Sequence, residues 1–390
     1  MVDLSARAER LDEYLAARDL EAVWFARPNG FAWLTGGSNV VDRSAAVGVA
    51  AAGYDGEFRV VTTAGDVDRL RKEELPGDAV GGDGGTGTDV DVAFAIEETA
   101  WYEESLAEAV AERSPAPAAA DFDVPGFDSV DGSQLRQPLN DEDVTRYREL
   151  GRETAAAVET VCRELQPGDP EYEVEAAIRI SLSSRDVETP VILVGGGDRA
   201  ANYGHPTPGD DELGDYAIVS VVGERGGLFA SLTRTIVFDA PDWLKDRHRA
   251  AARIETTALS ATQAAARGEL VGAEDEDTAP DTAGDVFAAI QDAYAAVDFA
   301  EDWRDHPQGG AAGYDTREWV AAPDATEPVQ APMGYAWNPW VRGAKSEDTY
   351  LVTADRVENL TKTGQWPTLE VDAVGDVPDL TLDRHAPTVL

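Results

Sequence analysis

Two of the four histidines lie in segments where a side chain could take part in chemistry. His205 and His306 are surrounded by glycine and proline, which is typical of loops that present side chains to a cavity. His248 lies in a charged helical segment and His385 in a polar tail, so both are expected to be solvated. The sequence has neither the HExxH and H-x-H spacings of zinc sites nor the GxSxG turn of serine hydrolases. Neither a histidine-based metal site nor a standard serine elbow is therefore predicted.

Two other features that could carry chemistry are better explained structurally. Cys162 is the only cysteine, so an internal disulfide or a cysteine metal cluster is excluded, and its helical surroundings predict a buried, inert thiol. Gly82, Gly84 and Gly87 spell GxGxxG, the spacing of dinucleotide loops. No helix is predicted to start at Gly87, and the neighbouring aspartates would repel a phosphate, so residues 76–91 are predicted to be a surface loop.

Hydrophobic periodicity and turn residues indicate the elements that position these side chains. Helices are predicted at residues 1–20, Val67–Leu75, Glu103–Glu112, from an Asn140 cap to about Leu165, Tyr172–Ser183, Trp243–Ala266 and Val286–Ala296. Strands are predicted at Ala22–Ala26, Phe31–Leu34, Ala45–Ala51, Phe58–Thr62 and Ile192–Val194, and as a hairpin of Tyr216–Val222 with Leu228–Phe238. The stretch 114–138 is rich in proline and glycine and is predicted to hold a domain boundary, and the acidic insertion 269–283 is predicted to be a loop.

The charge of the chain excludes several classes of partner. Asp and Glu number 75 against 32 Lys and Arg, a net charge of −43, and only four of the basic residues are lysines. This excess indicates adaptation to a salt-rich cytoplasm, and it argues against nucleic acid or an anionic membrane as partner. The N-terminus is a charged amphipathic helix rather than a signal peptide, and no apolar stretch reaches about 18 residues, so no membrane span is predicted.

Several segments, in order, resemble the pita-bread peptidases, the superfamily of Xaa-Pro aminopeptidase, prolidase, methionine aminopeptidase and creatinase. Gly195–Gly197 followed by Tyr203–Pro206 resembles the segment that opens the active site. The further matching segments are Asn29–Val40, Gly214–Val222, Ser231–Thr235, His306–Glu318 and Gly343–Leu360. The resemblance implies an α+β fold with a creatinase-like α/β domain at 1–136 and a pita-bread domain at 137–390. It also implies a homodimer.

The resemblance also implies where the metal ligands would lie. Active metallopeptidases of this family hold two divalent metals with two Asp, one His and two Glu side chains. Carried over in that order, these positions fall on Ser220, Ser231, Gly310, Asn338 and Glu347. Four of the five ligands are thus replaced, and the family's second active-site histidine is Arg317. No metal cofactor is therefore expected, because hydroxyls, an amide and one carboxylate cannot offset two adjacent dications.

Three functions stay open at this stage. Creatinase acts without metal through a histidine that matches His205, so one reading is a metal-free hydrolase of a small C–N-containing substrate, with Glu347 orienting the ligand. The second is a non-catalytic protein that binds a small molecule or short peptide, and the third is an Xaa-Pro metallopeptidase with an unrecognised ligand set. Residues expected to contact the ligand are His306, Arg317, Trp337, Asn338, Ser220 and Ser231, although the serines could merely fill the place of lost ligands. Trp337 and Trp340 could equally pack the floor of the site.

Overall fold

The computed structural model describes residues 2–75, 94–270 and 281–390. The predicted glycine-rich loop at 76–91 and the central part of the acidic insertion, 271–280, lie outside the described residues. Contacts divide the chain into two compact units, Met1–Gln137 and Pro138–Leu390.

The first unit is built around one six-stranded mixed sheet. Its helices are α1 (Leu4–Arg18), α2 (Pro28–Thr35), α3 (Ala64–Arg69), which continues as a π-helical turn over Leu70–Glu74, α4 (Leu106–Arg113) and α5 (Gly132–Arg136). Its strands are β1 (Ala22–Phe25), β2 (Ala50–Tyr54), β3 (Phe58–Thr63), β4 (Ala95–Thr99), β5 (Ala118–Ala120) and β6 (Asp128–Ser129), in the order β4-β3-β2-β1-β5-β6. Trp24, Ala51, Val61 and Val110 are fully buried in its core.

Two strand predictions in this unit are corrected by the structure. Phe31–Leu34 belongs to helix α2, which starts at Pro28 and ends at Gly36 in the left-handed conformation. Proline suits the first helical turn because its missing N–H has no intrahelical partner there, so the residues interpreted as a turn begin a helix. The predicted strand Ala45–Ala51 starts only at Ala50.

The second unit combines long helices with antiparallel sheets. Its helices are α6 (Asp141–Cys162), α7 (Glu171–Ser183), α8 (Gly197–Asn202), α9 (Leu244–Ala266) and α10 (Ala283–Ala296). Its strands are β7 (Glu188–Gly196), β8 (Tyr216–Arg225), β9 (Leu228–Val237), β10 (Gly309–Ala312), β11 (Met333–Trp337), β12 (Trp340–Val341), β13 (Ala344–Lys345), β14 (Asp348–Val352), β15 (Val357–Asn359), β16 (Thr368–Asp372), β17 (Thr381–His385) and β18 (Thr388–Val389). The two four-stranded sheets have the orders β18-β9-β8-β7 and β10-β11-β14-β15.

The local signals at the start of the second unit are confirmed. Asn140 caps α6 in a reciprocal capping box with Asp143, which satisfies two N–H groups at the helix start. The β8–β9 hairpin forms as predicted, with Arg225 opposite Leu228 across the Gly226–Gly227 turn. Both glycines have positive φ, which a side chain would oppose. The α+β organisation expected from the sequence is confirmed, and none of the helices in the described ranges is long and apolar enough to cross a membrane.

Candidate functional site

The second unit contains a cavity of about 280 Å³. Its lining residues are Val191, Leu193, His205, Ser220, Val221, Val222, Pro307, Gly309, Thr316, Arg317, Val320, Asn338, Lys345 and Glu347. Five of the residues named from the sequence thus share one cavity: His205, Ser220, Arg317, Asn338 and Glu347.

Strand register explains which hydroxyls face the cavity side of the sheet. In the β8–β9 hairpin, Ser220 is opposite Thr233 and Val222 is opposite Ser231. Directly opposed residues of an antiparallel pair project to the same face, as do residues two apart on one strand. Strand β7 extends this face, since Leu193 is opposite Ser220 and Val191 is opposite Val222. Apolar side chains of β7 therefore lie beside the serine hydroxyl.

Glu347 is directed to the cavity by the alternation of an extended segment. The neighbouring Asp348 points to the other side, where it is buried and pairs with Arg234 at 2.9 Å and Arg384 at 3.1 Å. The Glu347 carbonyl accepts a hydrogen bond of 2.9 Å from the Thr233 amide on strand β9. The Asp348 ion pairs and the bond to Thr233 fix the backbone at this point. Residues two apart in an extended segment project to the same side, and Lys345 and Glu347 accordingly both line the cavity.

The carboxylate of Glu347 is already neutralised by groups of the protein. The Thr233 hydroxyl donates to Oε2 at 2.7 Å, and Arg317 Nη2 donates to Oε1 at 3.1 Å. Lys345 Nζ lies 3.7 Å from Oε2. The Ser220 and Thr233 hydroxyl oxygens are 2.7 Å apart. Because the Thr233 hydroxyl donates its single hydrogen to Glu347, Ser220 must be the donor in this pair. A carboxylate held by two cations and a hydroxyl has little capacity left for another cation.

Lys345 is the functional candidate that sequence reasoning missed. Its side chain is 4% exposed, and Nζ makes no hydrogen bond with the described residues, Glu347 Oε2 lying 3.7 Å away. Burial lowers the pKa of Lys345 and Arg317 lowers it further, while Glu347 opposes both effects. Two features of the sequence could have identified it: Lys345 is one of only four lysines, and it lies two residues before Glu347 in an extended segment.

The two loop histidines stack on each other, but they occupy different environments. The rings of His205 and His306 lie 4.6 Å apart between centroids, with an angle of 22° between their planes. His205 is solvent-exposed and lines the cavity, and desolvation, followed by Lys345, lowers its pKa. His306 is buried behind it, and burial lowers its pKa to about 2, so it stays neutral. His306 is not among the lining residues.

Asn338 reaches the cavity with an unused polar group. Its backbone N–H donates to the Gln308 carbonyl at 3.0 Å, which fixes the turn after strand β11. Its side-chain Oδ1 is buried and has no hydrogen-bond partner among the described residues. An amide in this state is available to a ligand.

Three other sequence-derived positions are not brought to the cavity lining. Ser231 is buried, and its Oγ lies 3.4 Å from Arg317 Nη1. Trp337 is buried, stacks on Tyr335 and donates from Nε1 to the Thr262 hydroxyl at 3.1 Å. The space beside Gly310 is taken, because a Cβ there would lie 2.1 Å from the Trp319 carbonyl oxygen.

The remaining histidines and the cysteine are all buried. The solvated positions predicted for His248 and His385 are wrong: their exposed fractions are 1% and 3%. His248 Nε2 contacts the His385 carbonyl at 3.0 Å, and His385 Nδ1 contacts Asp348 at 3.2 Å. Helix α9 and strand β17 turn these residues inward, which the polar composition around them concealed. The predicted burial of the Cys162 thiol is confirmed, and that burial raises its pKa to about 12, which disfavours the reactive thiolate.

Comparisons with known proteins agree with this architecture. The family described as Metallopeptidase family M24 matches residues 145–354. Among solved structures, the prolidase from Pyrococcus horikoshii OT3 is similar at 16% identity and TM-score 0.66, covering 92% of this chain and 98% of that one. The Xaa-Pro dipeptidase from Bacillus anthracis is similar at 15% identity and TM-score 0.69, with the same coverage.

The same fold occurs in a protein of a different description. The N-terminal domain of FACT complex subunit SPT16 from Cicer arietinum is similar at 12% identity and TM-score 0.64, covering 94% of this chain and 98% of that one. No curated protein sequence matches the chain. The pita-bread fold expected from the sequence is thereby confirmed, while activity has to be argued from the site, since one fold supports unrelated functions.

Proposed function

The chain belongs to metallopeptidase family M24, and from that premise we propose that it is a member that binds a small organic molecule without divalent metals and without cleaving Xaa-Pro bonds. The observation that carries the proposal is the ion pair between Arg317 Nη2 and Glu347 Oε1 at 3.1 Å. The single carboxylate retained from the metal-binding set is paired with a cation of the protein itself.

The donor set does not fit two divalent metals. The five positions supply two hydroxyls, one amide, one carboxylate and a glycine with no side chain. A dication about 5 Å from one guanidinium meets roughly 7 kcal/mol of repulsion at an effective dielectric constant of about 20, and Lys345 adds to it. Over residues 2–75, 94–270 and 281–390, no three His, Cys, Asp or Glu side chains are grouped as a metal site requires.

A metal-free hydrolase is the second candidate, and His205 is the observation that favours it. Its ring lines the cavity and makes no hydrogen bond with the described residues, and desolvation lowers its pKa, which favours the neutral imidazole. A neutral imidazole of this kind can act as a general base. However, the Ser220 hydroxyl donates to Thr233 and not to a histidine, so the nucleophile–base contact of an activated serine is absent from this pair. Binding is therefore the better supported function.

The test measures metal content and peptidase activity on one preparation. The full chain is incubated with excess Mn²⁺, Co²⁺ or Zn²⁺, dialysed, and analysed by elemental mass spectrometry, and Xaa-Pro dipeptides are assayed with and without chelator. We expect far less than one ion per chain and no chelator-sensitive cleavage. Two ions per chain, or cleavage that chelator abolishes, would overturn the proposal. Metal-independent cleavage of small amides that is lost in His205→Gln would establish the hydrolase in its place.

The quaternary state and the cellular environment follow from the resemblance and the composition. We propose a homodimer, as the family resemblance implies, working in a salt-rich cytoplasm, as the charge of −43 indicates. Analytical ultracentrifugation in molar KCl should give about twice the mass of the 41.6 kDa chain. A species at the mass of one chain across the micromolar range would contradict the dimer.

A further inference from the structure

The cavity presents polar groups that the protein itself leaves unpaired. The Lys345 side chain is 4% exposed, and the nearest ionic partner of Nζ, Glu347 Oε2, is 3.7 Å away. Asn338 Oδ1 is buried without a hydrogen-bond partner, and the His205 ring nitrogens form no hydrogen bond within the described part of the chain. Buried polar groups normally have hydrogen-bond partners, and a buried group without one costs free energy, so Lys345 and Asn338 point to a ligand. The solvent-exposed His205 ring lies in the same lining and is open to contact with it.

The charges of the lining residues indicate the sign of that ligand. Arg317 and Lys345 are cations and Glu347 is the only acid in the lining, so the cavity carries 2 − 1 = +1 when Lys345 is protonated. This local excess is positive in a chain of net charge −43. Arg317 already donates to Glu347 and to the Thr316 carbonyl, at 3.1 and 2.6 Å. Lys345 is therefore the cation with unused hydrogen-bonding capacity.

The rest of the lining indicates the body of the ligand. Val191, Leu193 and Val222 are partly exposed along strands β7 and β8, and Val320, between strands β10 and β11, is 45% exposed. The volume of about 280 Å³ lies near the lower end of the roughly 300–1,000 Å³ found for small-molecule pockets. A compact aliphatic group fits this wall better than a polar peptide chain does.

We propose that the cavity binds a small monocarboxylate with a branched or short aliphatic chain, its carboxylate accepting a hydrogen bond from Lys345 Nζ and its chain packing on Val191, Leu193 and Val222. The ligand carboxylate supplies the hydrogen-bond acceptor that Lys345 lacks, since the Glu347 carboxylate lies 3.7 Å from Nζ. This inference rests on the proposed metal-free binding function, because two bound dications would fill the same space with the opposite charge.

The test uses isovalerate as probe and compares isosteres that differ in charge. Isothermal titration of the full chain in chloride-free buffer is performed with isovalerate, isovaleramide, isopentylamine and acetate. We expect isovalerate to bind, isovaleramide to bind at least about tenfold more weakly because it lacks the charge, and isopentylamine not to bind. Acetate lacks three aliphatic carbons and should bind roughly 10- to 50-fold more weakly than isovalerate.

Matched variants identify the groups that contact the carboxylate. Lys345→Met keeps the length of the side chain and removes the charge, and should reduce isovalerate affinity at least about thirtyfold. Lys245→Met, the same change at an exposed lysine of helix α9, should leave it unchanged. Asn338→Asp adds an acid to the lining and should also abolish isovalerate binding. This second variant tests the sign of the ligand charge even if Lys345→Met does not fold.

The outcomes separate this inference from the proposed function. If the protein is metal-free but isovaleramide or isopentylamine binds as well as isovalerate, or Lys345→Met binds normally, the ligand class is wrong and the metal-free function stands. If acetate binds as well as isovalerate, the site is one for minimal anions, and the aliphatic assignment is overturned. If two metals are found, both proposals fall together.

Discussion

Replacing Glu347 with glutamine removes the carboxylate that neutralises two cations in the wall of the cavity. The side chains of Arg317, Lys345 and Glu347 are 17%, 4% and 6% exposed, so the pair and its neighbour are largely shielded from water. Glutamine keeps the size of the side chain and can still accept from the Thr233 hydroxyl. The variant therefore isolates the loss of charge.

The expected cost is set by the uncompensated cations. Removing one partner of a buried ion pair costs about 3–5 kcal/mol, because the remaining charge stays desolvated. For a unit of this size that loss lowers the melting temperature by roughly 6–20 °C. The cost should also depend on pH through Lys345, whose pKa is lowered by burial and by Arg317.

The direction of the pH dependence follows from the lowered pKa of Lys345. Between its native pKa and its higher unfolded pKa, the unfolded chain binds more protons, so the free energy of unfolding rises with pH. Without Glu347 the native pKa falls further, and this rise begins at lower pH. The deficit of Glu347→Gln relative to the unmodified protein should therefore be largest near neutral pH and shrink towards pH 10.

Urea unfolding followed by tryptophan fluorescence measures the change in the free energy of unfolding, since six of the nine tryptophans lie in the second unit.

Glu358→Gln is the matched control. Glu358 pairs with Arg148 through two contacts of 2.8 Å, but the two side chains are 30% and 37% exposed. A surface pair of this kind contributes about 0–1 kcal/mol, so the control should be nearly neutral.

A loss below about 1 kcal/mol in Glu347→Gln, or a deficit that grows with pH, would show that the cations do not depend on this carboxylate. The electrostatic account of the site would then be wrong. Equal losses in Glu347→Gln and Glu358→Gln would likewise refute the role of burial in the argument.

Further changes test other parts of the structure. Gly310→Ala should destabilise the protein by about 1–3 kcal/mol in urea unfolding, since its Cβ would meet the Trp319 carbonyl, so histidine cannot be restored there without disruption; unchanged stability would mean that the space is open. Burial lowers the pKa of His248 to about 4, so the free energy of unfolding should fall as pH drops from about 6.5 to 4. His248→Gln should reduce the dependence of that free energy on pH by up to about 1.4 kcal/mol per pH unit, while His385, also buried, keeps its own contribution. An unchanged pH dependence would contradict the lowered pKa of His248. Thermal melts should show stability rising between low and molar KCl, because salt screens the net charge of −43; a constant melting temperature would remove the salt-adaptation reading.

Much of the fold was predictable because its signals are local. The capping box at Asn140 and the hairpin glycines at Gly226 and Gly227 depend on a few adjacent residues, so their chemistry can be read directly. The ordered segments from Gly195 to Leu360 indicated the family for the same reason. Helix α2 was misread because Pro28 suits both a turn and a helix start, and neighbouring residues alone do not decide between them.

The electrostatics of the site depended on contacts between distant segments. The resemblance of the sequence to the family was enough to predict which metal-ligand positions are replaced and that Glu347 is retained, because that prediction uses only residue identities in matching segments. Only the tertiary structure decided that Arg317 pairs with that carboxylate, that Lys345 is left without a hydrogen-bond partner, and that Trp319 occupies the space beside Gly310. It also decided that His248 and His385 are buried, against the polar character of their neighbours. Burial and pairing are set by which strands and loops meet in space, and a pattern along the chain carries no information on the residues that arrive from elsewhere.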